Sequence, residues 1–219
     1  MIAEQLISND IIPLRTSDTG EEALSLMHEF NVHHLPIVNN EQLLGLISED
    51  DILNHDVSEA LGAYSLSIHR PYVRVHDHIY EVMRLMAEYQ LTLIPVVDDQ
   101  ERYIGLISLE DLLVFFSRTA AFIEPGSIIV LEVAKRDYVL SEIARIVESE
   151  NAAILSAFVT SNPDSQLIDV TIKVNVQHIQ TILAAFDRYN YTVKASFHEE
   201  EYMGALKDRY DSLINFLNI

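Results

Sequence analysis

The first half of the chain carries one pattern twice. At an offset of 59 residues Asp18 matches Asp77, Glu22 matches Glu81, Met27 matches Met86, Pro36 matches Pro95 and Val38 matches Val97. Beyond the loops Asn39-Asn40-Glu41 and Asp98-Asp99-Gln100-Glu101 the offset becomes 60. There Gly45-Leu46-Ile47-Ser48 matches Gly105-Leu106-Ile107-Ser108, Asp51 matches Asp111 and Leu53 matches Leu113. Matches that keep this order describe two copies of one supersecondary unit, and neighbouring copies bury their apolar faces together.

Periodicity assigns the same elements to each copy. Ala23, Leu24, Met27 and Phe30 recur at helical spacing between Thr19 and Phe30, after Asp18 as an N-cap and with Glu21 and Glu22 in the first turn. His34 to Val38 and Leu43 to Ile47 are short apolar runs around a polar loop, which predicts two adjacent strands. Ser48 then caps a second helix beginning with Ile52 and Leu53, and Asp51 stands three residues on, as in a capping box. The unit is helix, strand, strand, helix.

At the junction of the second strand and second helix, Gly-x-x-Ser-x-x-Asp has chemical content of its own. Glycine permits close backbone approach, the Ser hydroxyl and first-turn N–H groups favour an oxygen anion, and the Asp lies one turn on, able to accept from a pair of ribose hydroxyls. The same residues also serve as plain helix caps, so both readings stand. The Leu-Pro-Ile-Val and Ile-Pro-Val-Val segments, with Gly-Leu-Ile-Ser-x-x-Asp at 45–51 and 105–111, resemble the CBS domain, which occurs as an intramolecular pair (a Bateman module); the resemblance covers about residues 1–118. It implies an adenosyl ligand, AMP-like, with ribose on Asp51 and Asp111 and phosphate facing Ser48 and Ser108. Adenine would be flanked by His34, Leu35, Pro36 and Ile37, or by Leu93, Ile94, Pro95 and Val96. Arg70 and Arg74, which enter the second repeat as Ile11 to Thr16 enter the first, are candidate phosphate partners, or else solvated arginines paired with acids.

Pro125-Gly126 marks a turn and a domain boundary. Beyond it, Ile128–Val133, Ile154–Thr160, Leu167–Val174 and Tyr191–Phe197 are strand-like, and Tyr138–Val147 and Val176–Phe186 are amphipathic helices, an order of βαββαβ that is the split ferredoxin-like pattern. This part resembles an ACT domain, and the whole is similar to acetoin-utilisation-type CBS-ACT proteins. Amino-acid-binding ACT domains carry a glycine turn after the first strand; here the segment is Lys135-Arg136-Asp137-Tyr138, which argues for association more than for an amino-acid site. Residues 200–217 form a last helical stripe with Tyr202, Leu206, Tyr210, Leu213 and Leu217. The expected division is 1–59 and 60–122 for the two CBS repeats, 127–198 for the ACT-like domain and 199–219 for a C-terminal helix, an α+β fold throughout.

Composition sets limits on function. Fourteen Lys and Arg against 34 Asp and Glu give a net charge of −20 over 219 residues, which opposes nucleic acid and anionic lipid. Residues 1–126 hold six arginines, no lysine and 21 acids, a balance of −15, so AMP, a magnesium-bound nucleotide or a cationic adenosyl compound is expected in preference to free ATP. There is no cysteine, and His28-Glu29 with His33 misses the His-Glu-x-x-His zinc spacing by one residue. No Walker, Gly-x-Ser-x-Gly or Gly-x-Gly-x-x-Gly motif occurs. No leader pattern or 18-residue apolar run is present. The expectation is a non-catalytic, cytoplasmic, homodimeric regulatory protein that binds no metal and relays occupancy by an adenosyl ligand to a partner or to the ACT-like domain. Its alternatives are a ligand-independent dimerisation or scaffold protein and an amino-acid sensor acting through the ACT-like domain.

Overall fold

The computed structural model describes residues 1–64, 71–161 and 163–198. Arg70 and the helical stripe at 200–217 lie outside the described residues. The chain divides into two compact units, Met1–Phe116 and Ser117–Ile219.

In the first unit, repeat 1 consists of α1 (Gly20–Glu29), β1 (His34–Asn39), β2 (Gln42–Ser48) and α2 (Glu49–Leu53). Repeat 2 begins with a two-residue strand, β3 (Val73–Arg74), and continues with α3 (Ile79–Glu88), β4 (Leu93–Val97), β5 (Tyr103–Ser108) and α4 (Leu109–Ser117). The helix, strand, strand, helix order therefore appears in both copies. α1 starts one residue later than its sequence suggests. Its N-cap is Thr19, whose hydroxyl accepts from Glu22 N–H at 3.3 Å while Glu22 Oε2 accepts from Thr19 N–H at 2.8 Å. Asp18 plays a different part, because its carboxylate accepts from Arg15 N–H at 2.7 Å, and its counterpart Asp77 accepts from Arg74 N–H at the same distance. The repeated Asp thus holds the turn ahead of each helix. Both helices end on a left-handed residue, Asn31 and Gln90, and return a hydrogen bond from Val32 N–H to Met27 O at 2.9 Å and from Leu91 N–H to Met86 O at 2.8 Å.

The two hairpins share a register, with His34 opposite Ser48 and Leu93 opposite Ser108, and each carries an irregularity shortly before its tip. Between them runs one continuous core. Leu14, Leu35, Ile47 and Ile52 from repeat 1 and Ile79, Leu93, Ile94, Leu106 and Ile107 from repeat 2 are fully buried in a single cluster.

The segments leading into the repeats are exchanged. Residues 1–8 precede repeat 1 yet dock on repeat 2: Ala3 N–H donates to Asp77 O at 2.9 Å, Ile2 bridges His78, and Ser8 and Leu106 exchange two backbone bonds at 2.9 and 3.1 Å. Residues 57–62 precede repeat 2 yet dock on repeat 1, where Leu61 N–H donates to Asp18 O at 2.8 Å and Ala60 bridges Thr19. Ile2 and Leu61 are 59 positions apart, the repeat offset itself. Each repeat is therefore completed by the chain that introduces the other.

The second unit opens with the short helix α5 (Ala120–Ile123) and continues as β6 (Ser127–Ala134), α6 (Leu140–Ser149), β7 (Ile154–Ser161), β8 (Leu167–Val174), α7 (Gln180–Arg188) and β9 (Thr192–His198). The sheet is antiparallel throughout, in the order β7-β8-β6-β9, which is the ferredoxin-like arrangement of a βαββαβ chain. Alternation on β6 and β8 turns Ile129, Leu131, Val170 and Ile172 toward Ile143, Ile146 and Phe186 of the two helices, all fully buried. Tyr138, which stands where a glycine turn would be, is partly buried against this core.

Gly105 pairs within β5 at φ +153°, and a Cβ there would lie 2.9 Å from Ser8 O. Gly105→Ala is therefore expected to destabilise the first unit by about 1–3 kcal/mol, the cost of a strained backbone position. Urea unfolding measures it, with a lower midpoint at unchanged slope.

Candidate functional site

The two Gly-x-x-Ser-x-x-Asp motifs occupy equivalent places, where β2 runs into α2 and β5 into α4. At the first, Ser48 Oγ donates to Asp51 Oδ2 at 2.6 Å, Ser48 N–H donates to the same oxygen at 3.0 Å, and Asp51 N–H donates back to Ser48 Oγ at 3.1 Å. At the second, the corresponding distances are 2.6, 2.8 and 3.0 Å between Ser108 and Asp111. Both motifs are closed capping boxes, with acidic first turns that suit a helix N-terminus. Each box consumes one carboxylate oxygen. Among the described residues no hydrogen bond falls on the other, Oδ1 of Asp51 or of Asp111.

Each motif helix is also tied at its first residue. Glu49 N–H donates to His33 O at 3.0 Å, and Leu109 N–H donates to Thr92 O at 3.1 Å. The segments expected to flank adenine run along β1 and β4 beside these ties. Leu35, Ile37, Leu93, Ile94 and Val96 have buried side chains that belong to the core, so what these positions can offer a ligand is chiefly backbone. His34 differs from its counterpart Leu93: it is half-buried and directly across the hairpin from Ser48. Burial lowers its pKa from the usual histidine value and neighbouring His33 adds to the effect, while Asp51 and Asp50 oppose it. His33 is more exposed and lies 2.7 Å from Glu49 through Nδ1.

Charge separates the two motifs. Glu49, Asp50 and Asp51 follow Ser48, whereas Leu109, Glu110 and Asp111 follow Ser108. Arg74 is not beside Ser108 in the strand register. It pairs with Val97 in the β3–β4 ladder, four residues along β4 from Leu93, the partner of Ser108. At about 3.3 Å per residue that is about 13 Å, and its guanidinium is engaged by Glu101 at 3.3 Å. A cavity of about 310 Å³ lies at this same far end, between the hairpin tips, lined by Asn40, Gln42, Tyr72, Gln100 and Arg102 among others. Among the described residues no group of three His, Asp or Glu is disposed to hold a metal ion, and no helix is long and apolar enough to cross a membrane.

Comparison with known proteins places this geometry. The CBS domain profile matches residues 3–58 and 64–118, which is half of the chain. Over 114 residues the chain is 28% identical to inosine-5'-monophosphate dehydrogenase of Methanocaldococcus jannaschii, covering 51% of this chain and 23% of that enzyme. Over 118 residues it is 29% identical to homoserine O-acetyltransferase of Methanococcus vannielii, covering 51% and 24%. The chain thus spans about a quarter of the length of these curated relatives. Among solved structures it is similar to a CBS domain pair/ACT domain protein of Thermotoga maritima, at 24% identity and a TM-score of 0.48, over 53% of this chain and 96% of that one. The chain belongs to the CBS domain family, present here as a tandem pair followed by an ACT-like ferredoxin fold.

Proposed function

We propose that the CBS pair senses an adenosyl ligand, AMP-like, with ribose on Asp51 or Asp111, and that occupancy is relayed to a partner or to the ACT-like unit of a homodimer. The observation that carries this reading is the division of labour within each Asp. Oδ2 closes the cap and fixes the carboxylate, so Oδ1 is presented without further ordering, which is the preorganisation a diol-binding carboxylate needs. Ser48 and Ser108 stand at the matching helix starts for a phosphate, and the base is assigned to the segments around Pro36 and Pro95. With a balance of −15 over residues 1–126, a monophosphate or a charge-neutralised ligand is favoured over free ATP. Arg74, at the far end of β4 with its guanidinium on Glu101, is assigned no phosphate contact in this reading, and Arg70 stays a candidate phosphate partner. A ligand regulates only if it binds one arrangement better than another.

The completeness of the caps favours one competitor: a scaffold in which Ser48, Asp51, Ser108 and Asp111 only terminate helices. Two measurements separate them. Calorimetric titration of nucleotide-stripped protein with AMP is expected to show binding that Asp51→Ala or Asp111→Ala weakens by about 10- to 150-fold, equivalent to about 1.5–3 kcal/mol. Asp51→Asn and Asp111→Asn keep a cap acceptor, and weakening in these variants too assigns the loss to the ribose contact. No heat with AMP, with magnesium ATP or with an adenosyl sulfonium supports the scaffold instead. Ser48→Ala and Ser108→Ala are expected to cost about 1 kcal/mol each in urea unfolding, since each removes a cap; a neutral result at either would mean that the hydroxyl is held for a ligand and not for the helix.

A further inference from the structure

The two repeats are joined by a closed polar network of three residues. His33 N–H donates to Thr92 Oγ1 at 3.0 Å, Thr92 Oγ1 lies 3.2 Å from His34 Nδ1, and Thr92 N–H donates to the same Nδ1 at 3.4 Å. A backbone N–H is always a donor, so the Thr92 contact assigns Nδ1 as the unprotonated acceptor, with the Thr92 hydroxyl also donating to it and the neutral ring carrying its proton on Nε2. Thr92 is the positional counterpart of His33, and Leu93 that of His34, so the network is one-sided: repeat 1 supplies an imidazole and repeat 2 does not.

We propose that His34 and Thr92 form a proton-operated latch between the two CBS repeats, closed when the imidazole is neutral and opened when acid places a proton on Nδ1. The protonated ring turns an N–H toward Thr92 N–H, two donors face each other, and the amide of Thr92 loses its acceptor inside the junction. The consequence is not local. Thr92 O holds Leu109 N–H and His33 O holds Glu49 N–H, so opening the latch reaches the first residue of α4 and of α2 together. The charged and titratable groups facing His34 are His33 on its own strand and Asp50 and Asp51 of α2, with Glu49 engaged by His33. Burial and His33 outweigh the two carboxylates and hold the ring below its usual value. The unfolded chain therefore takes up the proton more readily than the folded one. The stability the latch contributes is complete above about pH 6.5 and is lost as pH falls through the folded value. None of this depends on a nucleotide.

Nuclear magnetic resonance of the full chain between about pH 7.5 and pH 5.5 tests the latch. The expected result is an Nε2–H tautomer for His34, a midpoint below about 6.5, and a Thr92 amide resonance that moves with the same midpoint. Thr92→Val removes the hydroxyl that donates to Nδ1 and should raise the midpoint. His34→Leu, which copies repeat 2, should flatten the fall in melting temperature across this range relative to the unsubstituted protein. An Nδ1–H tautomer, a Thr92 amide indifferent to His34, an unmoved midpoint in Thr92→Val or the same pH profile in His34→Leu overturns the proposal.

Discussion

Two backbone hydrogen bonds organise the N-terminal unit: Glu49 N–H to His33 O and Leu109 N–H to Thr92 O. A helix start leaves four N–H groups without intrahelical partners. Here the first is tied to the neighbouring strand and another is closed by the Ser–Asp box, so the motif helix has a fixed origin on the hairpin that precedes it. Because His33 N–H reaches Thr92 Oγ1, the two origins are also tied to each other. The shared core and the exchanged leading segments make the pair one folding unit, and the polar junction sets the relative register of its two halves.

In the proposed reading the same residues serve both stability and recognition. A cap alone needs one oxygen of Asp51 or Asp111. A ribose needs an acceptor that is held still, and the cap holds it. In that reading a single carboxylate divided in this way would link ligand occupancy to the helix origin, and through His33 and Thr92 to the other repeat. The second unit has a different character, with an aromatic in place of the glycine turn after β6 and that aromatic turned into the core.

Much of this was legible in the residues because it is local. The repeated hairpins, the Ser48 and Ser108 caps and the order of the six elements of the second unit follow from periodicity and turn chemistry. What could not be read is what depends on pairing at a distance. Asp18 has a good N-cap sequence, yet Thr19 with Glu22 makes the better box and leaves Asp18 to bind Arg15 N–H. Arg74 is recognisable as part of the entry to repeat 2, but only the register with Val97 shows that it stands at the far end of β4 from Ser108. The exchange of residues 1–8 and 57–62 leaves no periodic trace, because single bridges to the other repeat impose no pattern on the segments that make them. The pairing of His34 with Thr92 is equally silent: both residues are polar beginnings of strands until the two repeats are brought together.

Whether Oδ1 of a capped Asp accepts from ribose is tested most directly by the structure of the protein crystallised with AMP. The ribose hydroxyls are expected on Oδ1 of Asp51 or Asp111, with the Ser–Asp box still closed through Oδ2. A nucleotide bound elsewhere, such as in the cavity between the hairpin tips, or one that opens the box to bind, would contradict this division of the carboxylate.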